Sequence, residues 1–273
     1  MPPGSFEIST LLTKTLPVNQ TLVIDLSTSF STVAWNNDIQ IRQIEKGQCP
    51  TLNVVRFWID EARQTAYAYG GGYSSWQAVA GRPTIPLEKL WAFTANNSGG
   101  LWQQIDQSSD SVFGTLTRPT EGSFAFGAIG GFGLGGYKGS LSSQKTSHLS
   151  SYIASPGLQF YNFTSGSWYN NSAIGYTSNG ASIWAGSMYV PTWGPAGVLL
   201  VFGGQAVPDL ALFKDGDAYL SMSNITLFDP LTQSWHYQMS TGDIPTQRDR
   251  FCVVGASGGD NTTYGRFLSR RGW

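Results

Sequence analysis

Four side chains in this sequence have the right type for metal or nucleophile chemistry: His148, His236, Cys49 and Cys252. Their spacing supports neither. Structural zinc sites take ligands in pairs a few residues apart, whereas the two cysteines stand far apart and no CxxC or Cys/His pair occurs. Cys49 and Cys252 either form one disulfide or remain small buried side chains. His236 follows Trp235 in an alternating segment, which turns it toward a sheet face, and His148 lies in the Ser-rich stretch "SSQKTSHLSS". No Gly-x-Ser-x-Gly elbow, phosphate loop or His-Glu-x-x-His is present. The acids Asp60, Glu61, Asp215, Asp217 and Asp243 fall at turns, which their side chains favour without any catalytic role. "GDIPTQRDR" sets Arg248 and Arg250 on either side of Asp249, a pattern that reads as a surface ion pair or as a carboxylate-binding rim. The sequence therefore predicts no catalytic residue, no metal and no cofactor.

Charge narrows the partners. Sixteen Lys and Arg against 17 Asp and Glu leave a net charge of -1, with no basic run longer than Arg270-Arg271. Nucleic acid and anionic membranes both require clustered Lys and Arg, so neither is an expected partner. No stretch reaches the ~20 apolar residues of a membrane-spanning helix. The first ten residues lack the charged and apolar regions of a signal peptide, which on its own reads as cytoplasmic. Six Asn-x-Ser/Thr triplets, at Asn19, Asn96, Asn162, Asn170, Asn224 and Asn261, point instead to a secreted or cell-surface parent protein whose leader lies outside this chain.

The elements that must carry any site emerge from an internal repeat. Apolar runs stop on glycine pairs at Gly71-Gly72, Gly135-Gly136 and Gly203-Gly204, and each pair is followed by a tryptophan, Trp102, Trp168 or Trp235. The distances from the second glycine to the tryptophan are 30, 32 and 31 residues, an agreement that chance does not supply. The segments "LWAFTANNSGGLWQQI", "LQFYNFTSGSWYN" and "ITLFDPLTQSWHYQ" each read as strand, polar turn and strand. Another strand pair precedes each glycine pair, so one unit is four antiparallel strands, repeating after 64 and 68 residues. The excess over a ~50-residue period lies in the polar loops after the glycines. If the units stack around an axis, those loops share one face. Tyr73, Trp76, Tyr137, His148 and Phe213 on them are the candidate binding residues.

At these residues the chain resembles the kelch repeat, and "GSFAFG", "PGLQFYNFTSGSW", "GPAGVLLVFGG" and "ITLFDPLTQSWH" together are similar to the secreted or membrane-anchored kelch proteins of fungi. The resemblance implies an all-β fold, a kelch-type β-propeller of four-stranded antiparallel blades in one domain over residues 1–273. Complete blades are expected over 52–107, 123–171 and 180–238, with partial blades over 16–35 and 246–264. Kelch propellers of this group usually carry six or seven blades, so the expectation is part of a longer protein, with one membrane span in the parent. The rival is that the two end pieces complete each other as a four-bladed ring. The copper enzyme built on such blades, galactose oxidase, needs two histidines and tyrosines around one metal, a set that His148 and His236 do not make. The favoured function is a non-catalytic scaffold that binds protein or glycan through the loops after each glycine pair. The alternatives are a metal-independent isomerase or cyclase acting in an apolar central pocket, and a cytosolic adaptor.

Overall fold

Residues 19–24, 41–73, 84–96, 99–210, 218–257 and 263–268 are described by the computed structural model. The chain begins with an antiparallel hairpin of β1 (Gln20–Ile24) and β2 (Ile41–Glu45). A first four-stranded sheet follows in the order β3 (Arg56–Asp60), β4 (Thr65–Tyr69), β5 (Leu90–Thr94) and β6 (Leu101–Ile105). Past a five-residue helix, α1 (Ser111–Thr115), come β7 (Ser123–Gly127), β8 (Gly130–Leu134), β9 (Tyr137–Lys138), β10 (Ile153–Ala154), β11 (Leu158–Asn162) and β12 (Trp168–Asn171). The second four-stranded sheet runs β7-β8-β11-β12, and β9 pairs β10 beside it. The last group is β13 (Ser182–Ile183), β14 (Gly186–Val190), β15 (Val198–Phe202), β16 (Gln205–Ala206), β17 (Asn224–Asp229) and β18 (Ser234–Met239). Its four-stranded sheet runs β14-β15-β17-β18, with β13 paired to β16. β19 (Cys252–Ser257) and β20 (Thr263–Leu268) close the described chain as a hairpin. Every pairing is antiparallel, and no sheet closes on itself among the described residues.

The sequence expectation needs three adjustments. The partner of β1 is Ile41–Glu45, beyond the stretch 16–35 in which a full strand pair was expected; residues 25–40 lie outside the described ones. The C-terminal piece carries a second strand, out to Leu268, where only a strand and turn were expected. In the first unit the turn after the second strand falls on Gly70-Gly71, one residue before Gly71-Gly72. Gly70 and Gly71 have φ of 89° and 84°, matching the left-handed pairs Gly135-Gly136 (61°, 101°) and Gly203-Gly204 (60°, 76°). On that alignment the distances to Trp102, Trp168 and Trp235 tighten to 31, 32 and 31 residues. Three consecutive glycines had hidden the register.

These turns stitch each sheet to the next. The second glycine of each pair donates its N–H to the lead-in of the following unit: Gly71 to Pro119 O at 3.0 Å, Gly136 to Ser182 O at 2.7 Å, and Gly204 to Arg248 O. A left-handed backbone and a missing Cβ are both required there. A Cβ on Gly135 would lie 2.2 Å from Ser182 O, and one on Gly136 2.4 Å from Thr120 O. The first strands of successive units are consequently neighbours, β3 beside β7, β7 beside β14 and β14 beside β19.

Between the sheets sits the core. Trp58 of β3 is fully buried, donates from Nε1 to Phe132 O at 3.0 Å, and lies against Trp168, Tyr69 and Tyr161 with ring centroids 5.7 to 6.4 Å away. Fully burying one such ring removes about 150–250 Å² from water, roughly 4–6 kcal/mol before conformational entropy is subtracted. The three repeat tryptophans each reach back to the preceding unit. Trp102 Nε1 donates to Thr21 Oγ1 (2.7 Å), Trp168 Nε1 to Gln107 Oε1 (2.7 Å) and Trp235 Nε1 to Ser172 O (2.8 Å). Asp110 serves twice: one carboxylate oxygen caps α1 through Phe113 N–H, and the other accepts the Trp168 N–H.

Arg56, also in β3, is 2% exposed and crosses to the second sheet, donating to Gln159 Oε1 at 2.6 Å and to Gly135 O at 2.8 Å. Burial lowers its pKa to about 10. Burial pushes two core phenols the other way, Tyr161 up to about 12 and Tyr69 further. The unfolded chain releases tyrosine protons near pH 10, so these phenols contribute stability that is full below about pH 10 and lost as pH rises. Arg56 opposes them, because the folded chain gives up its proton first. Burial raises Tyr176 as well and lowers Arg118, so the raised phenols outweigh the two buried arginines and net stability falls as pH rises above about 10. Urea unfolding midpoints measured from pH 8 to 12 should hold level to about pH 9.5 and then drop; Tyr161→Phe should make the drop shallower.

Candidate functional site

Alternation along β7 turns Ser123 and Ala125 into the core and leaves Phe124 and Phe126 outside it, 42% and 36% exposed. The side-by-side first strands β7, β14 and β19 then enclose a groove of about 660 Å³. Its walls are mostly apolar, from Phe124, Phe126, Met188, Tyr189 and Val254, with Trp184 and Arg250 at one end. That volume is in the range of small-ligand and side-chain pockets. Ser187 and Cys252 add a hydroxyl and an exposed thiol to the lining. The described lining residues include no histidine and no carboxylate.

The end with Trp184 is built by a repeated backbone feature. Val54, Glu121, Trp184 and Arg250 each stand two residues before a first strand and each has positive φ, 57°, 57°, 54° and 51°. Non-glycine residues rarely adopt that conformation, and where they do it often marks a binding or switching site. Trp184 N–H donates to Glu121 O at 2.9 Å, and Arg250 N–H to Trp184 O at 3.2 Å, so equivalent residues of successive units are chained together. Their side chains join the chain: Trp184 Nε1 donates to Glu121 Oε2 at 2.5 Å, and the Arg250 guanidinium lies 3.3 Å over the Trp184 ring. Such a cation–π contact is worth about 0.5–2 kcal/mol. Arg250 also pairs with Asp249 at 3.1 Å, and Asp249 accepts from the Gln205 amide. Of the two readings of "GDIPTQRDR", the ion pair is present, and Arg250 belongs to the groove mouth as well.

The start of each first strand pairs with the end of its second, Ser123 with Leu134 and Gly186 with Phe202. The mouth therefore opens at the end of the sheets where the loops after the glycine pairs emerge. Those loops touch one another: Tyr73 N–H donates to Leu141 O at 2.9 Å, and Ala154 N–H to Leu210 O at 3.0 Å. Of the candidate residues on them, Tyr73, Tyr137 and His148 are among the described residues. Tyr137 is packed inward on Tyr152, with ring centroids 4.8 Å apart, and against the cluster of Ala154, Ala181 and Ile183. Pairing of β9 with β10 forces that orientation, and burial raises its phenol pKa. His148 is exposed on its loop, and Tyr73 is partly exposed. Trp76, Phe213, Asp215 and Asp217 lie outside the described residues, as does Asn261. His236 is exposed on β18, opposite Leu227. Asp60, 3% exposed at the end of β3, takes a turn-forming role, accepting from the Arg63 N–H at 3.2 Å and from the Arg63 guanidinium at 2.6 Å. Both cysteines are free, Cys49 buried and Cys252 exposed. Asn19, Asn96, Asn170 and Asn224 are exposed, while Asn162 is half-buried and accepts from the N–H groups of Thr164 and Ser165.

Fold and groove define an all-β chain of four-stranded antiparallel sheets whose first strands wall an apolar cleft. No family model matches the chain, and no curated protein matches it. Among solved structures the chain is similar to one titled "Structure of YjhT", with a TM-score of 0.52 over 84% of this chain and 68% of that one. At 10% identity the likeness concerns the fold alone.

Proposed function

We propose that the three four-stranded sheets are blades of a kelch-type β-propeller, and that the chain is a non-catalytic binding module of a secreted or cell-surface protein, taking an apolar peptide segment into the groove between its first strands. The glycine turns, the tryptophans that reach back one unit and the adjacent first strands support the propeller reading. The observation that carries the binding reading is the groove itself, ligand-sized and lined by exposed Phe124 and Phe126. Its walls favour a peptide over a glycan, because every sugar hydroxyl placed against apolar carbon loses a water hydrogen bond that the wall does not replace. A hydrolase or isomerase in the same groove would need a general acid or base within reach of substrate, and the described lining offers no histidine or carboxylate for that role. The exposed sequon asparagines support the extracellular location.

Panning a random peptide display library and a glycan array against the chain tests this reading. Peptides with an aromatic or aliphatic anchor should be enriched, and Phe124→Asp with Phe126→Asp should cut their binding at least tenfold while leaving the unfolding midpoint within the small range usual for exposed positions. Selective glycan capture that survives both substitutions would contradict the proposal.

A further inference from the structure

We infer that a second, smaller cavity, between the loop after β2 and the first sheet, is a binding site for a small monovalent anion such as a halide or a simple carboxylate. Three cations line it, Lys46, Lys89 and Arg118, together with Trp91 and Cys49, and no carboxylate is among its lining residues. Its volume is about 30 Å³, and a cavity needs only ~10–15 Å³ to hold a water-sized occupant.

Two of its donors have no internal partner. Arg118 is 1% exposed, donates from Nε to Ser142 O at 2.8 Å and from Nη1 to Leu87 O at 3.4 Å, and leaves Nη2 buried with no hydrogen bond. Trp91 is 9% exposed, and its Nε1 is buried without a partner as well. A sealed donor left unpaired costs about 1–3 kcal/mol, more when charged, and such atoms in a native fold are explained by a bound water or ion. Charge favours the anion over water, since three cations, Lys46, Lys89 and Arg118, surround the cavity. Glu88 is the acid whose charge acts on Arg118. It does not satisfy the donor: Glu88 Oε1 is itself buried with no hydrogen bond, and Glu88 is not in the lining. The remaining polar groups do not compete for the site. Burial pushes the Cys49 thiol up to about 11, with Lys46 pulling it back, so it stays protonated. The Tyr69 hydroxyl is turned away, donating to Thr117 O at 3.3 Å.

Bromide is the probe. Crystals of the chain grown without halide and soaked in sodium bromide should show an anomalous peak within hydrogen-bond distance of Arg118 Nη2 and Trp91 Nε1. In solution, at constant ionic strength set with sodium gluconate, the unfolding temperature should rise saturably with bromide. Trp91→Phe keeps the ring and removes the donor, and should weaken that response roughly tenfold; Arg118→Gln should abolish it. A cavity that refines as water with no anomalous signal, or a bromide response that Trp91→Phe leaves unchanged, would overturn the inference.

Discussion

Gly135→Ala should destabilise the chain by about 2–5 kcal/mol, a large effect for a single added methyl group. Two costs combine. The residue has φ of 61°, where an L side chain costs ~1–2 kcal/mol, and the new Cβ would sit 2.2 Å from Ser182 O, a backbone atom of the next unit's lead-in. Relieving that overlap adds about 1–3 kcal/mol and strains the Gly136–Ser182 hydrogen bond that joins the second sheet to the third. Gly242 separates the terms. It has φ of 82° and open space where its Cβ would stand, so Gly242→Ala should show the backbone cost alone, ~1–2 kcal/mol. Urea denaturation of both variants gives the comparison, provided the slope with denaturant is unchanged. Equal losses at the two positions would mean that the turn does not press on its neighbour.

Trp168→Ala carries the second large effect, about 3–5 kcal/mol, the usual cost of deleting a buried aromatic ring. Trp168 is 2% exposed, its ring centroid lies 4.7 to 5.7 Å from those of Tyr69, Tyr161, Phe113 and Trp58, and its loss strands the buried Gln107 carbonyl. Trp235 holds the equivalent place in the third sheet but is only half-buried, packed on Phe228 and Tyr176. Trp235→Ala should therefore cost less than half as much. Calorimetric or chemical unfolding of both variants distinguishes equivalence in sequence from equivalence in energy.

Much of the sheet framework was legible because its marks answer to backbone and burial needs that only one or two residue types satisfy. A left-handed turn against another chain segment admits glycine, and a wide gap between sheets admits tryptophan, so both recur at regular spacing. The left-handed residues Val54, Glu121, Trp184 and Arg250 recur as regularly but leave no mark in the sequence. Their common property is a φ angle, and four different side chains carry it. The groove was illegible for another reason: its walls come from three separate first strands, and each strand alone looks like ordinary alternation. Exposed phenylalanines in "GSFAFG" were its one linear trace. In one of the loops after the glycine pairs, pairing of β9 with β10 leaves Tyr137 partly buried beside Tyr152, which composition could not foretell.

Occupancy of the groove is the central claim, and Cys252 allows a direct measurement of it. It is exposed and lines the groove, whereas Cys49 is buried, so a bulky maleimide applied to the native chain should modify Cys252 selectively and fill the cleft without any substitution. Affinity for the selected apolar peptides should fall at least tenfold on modification, with the unfolding temperature held. Peptide binding that is undiminished on the fully modified protein would contradict the account, and would place the ligand on another face.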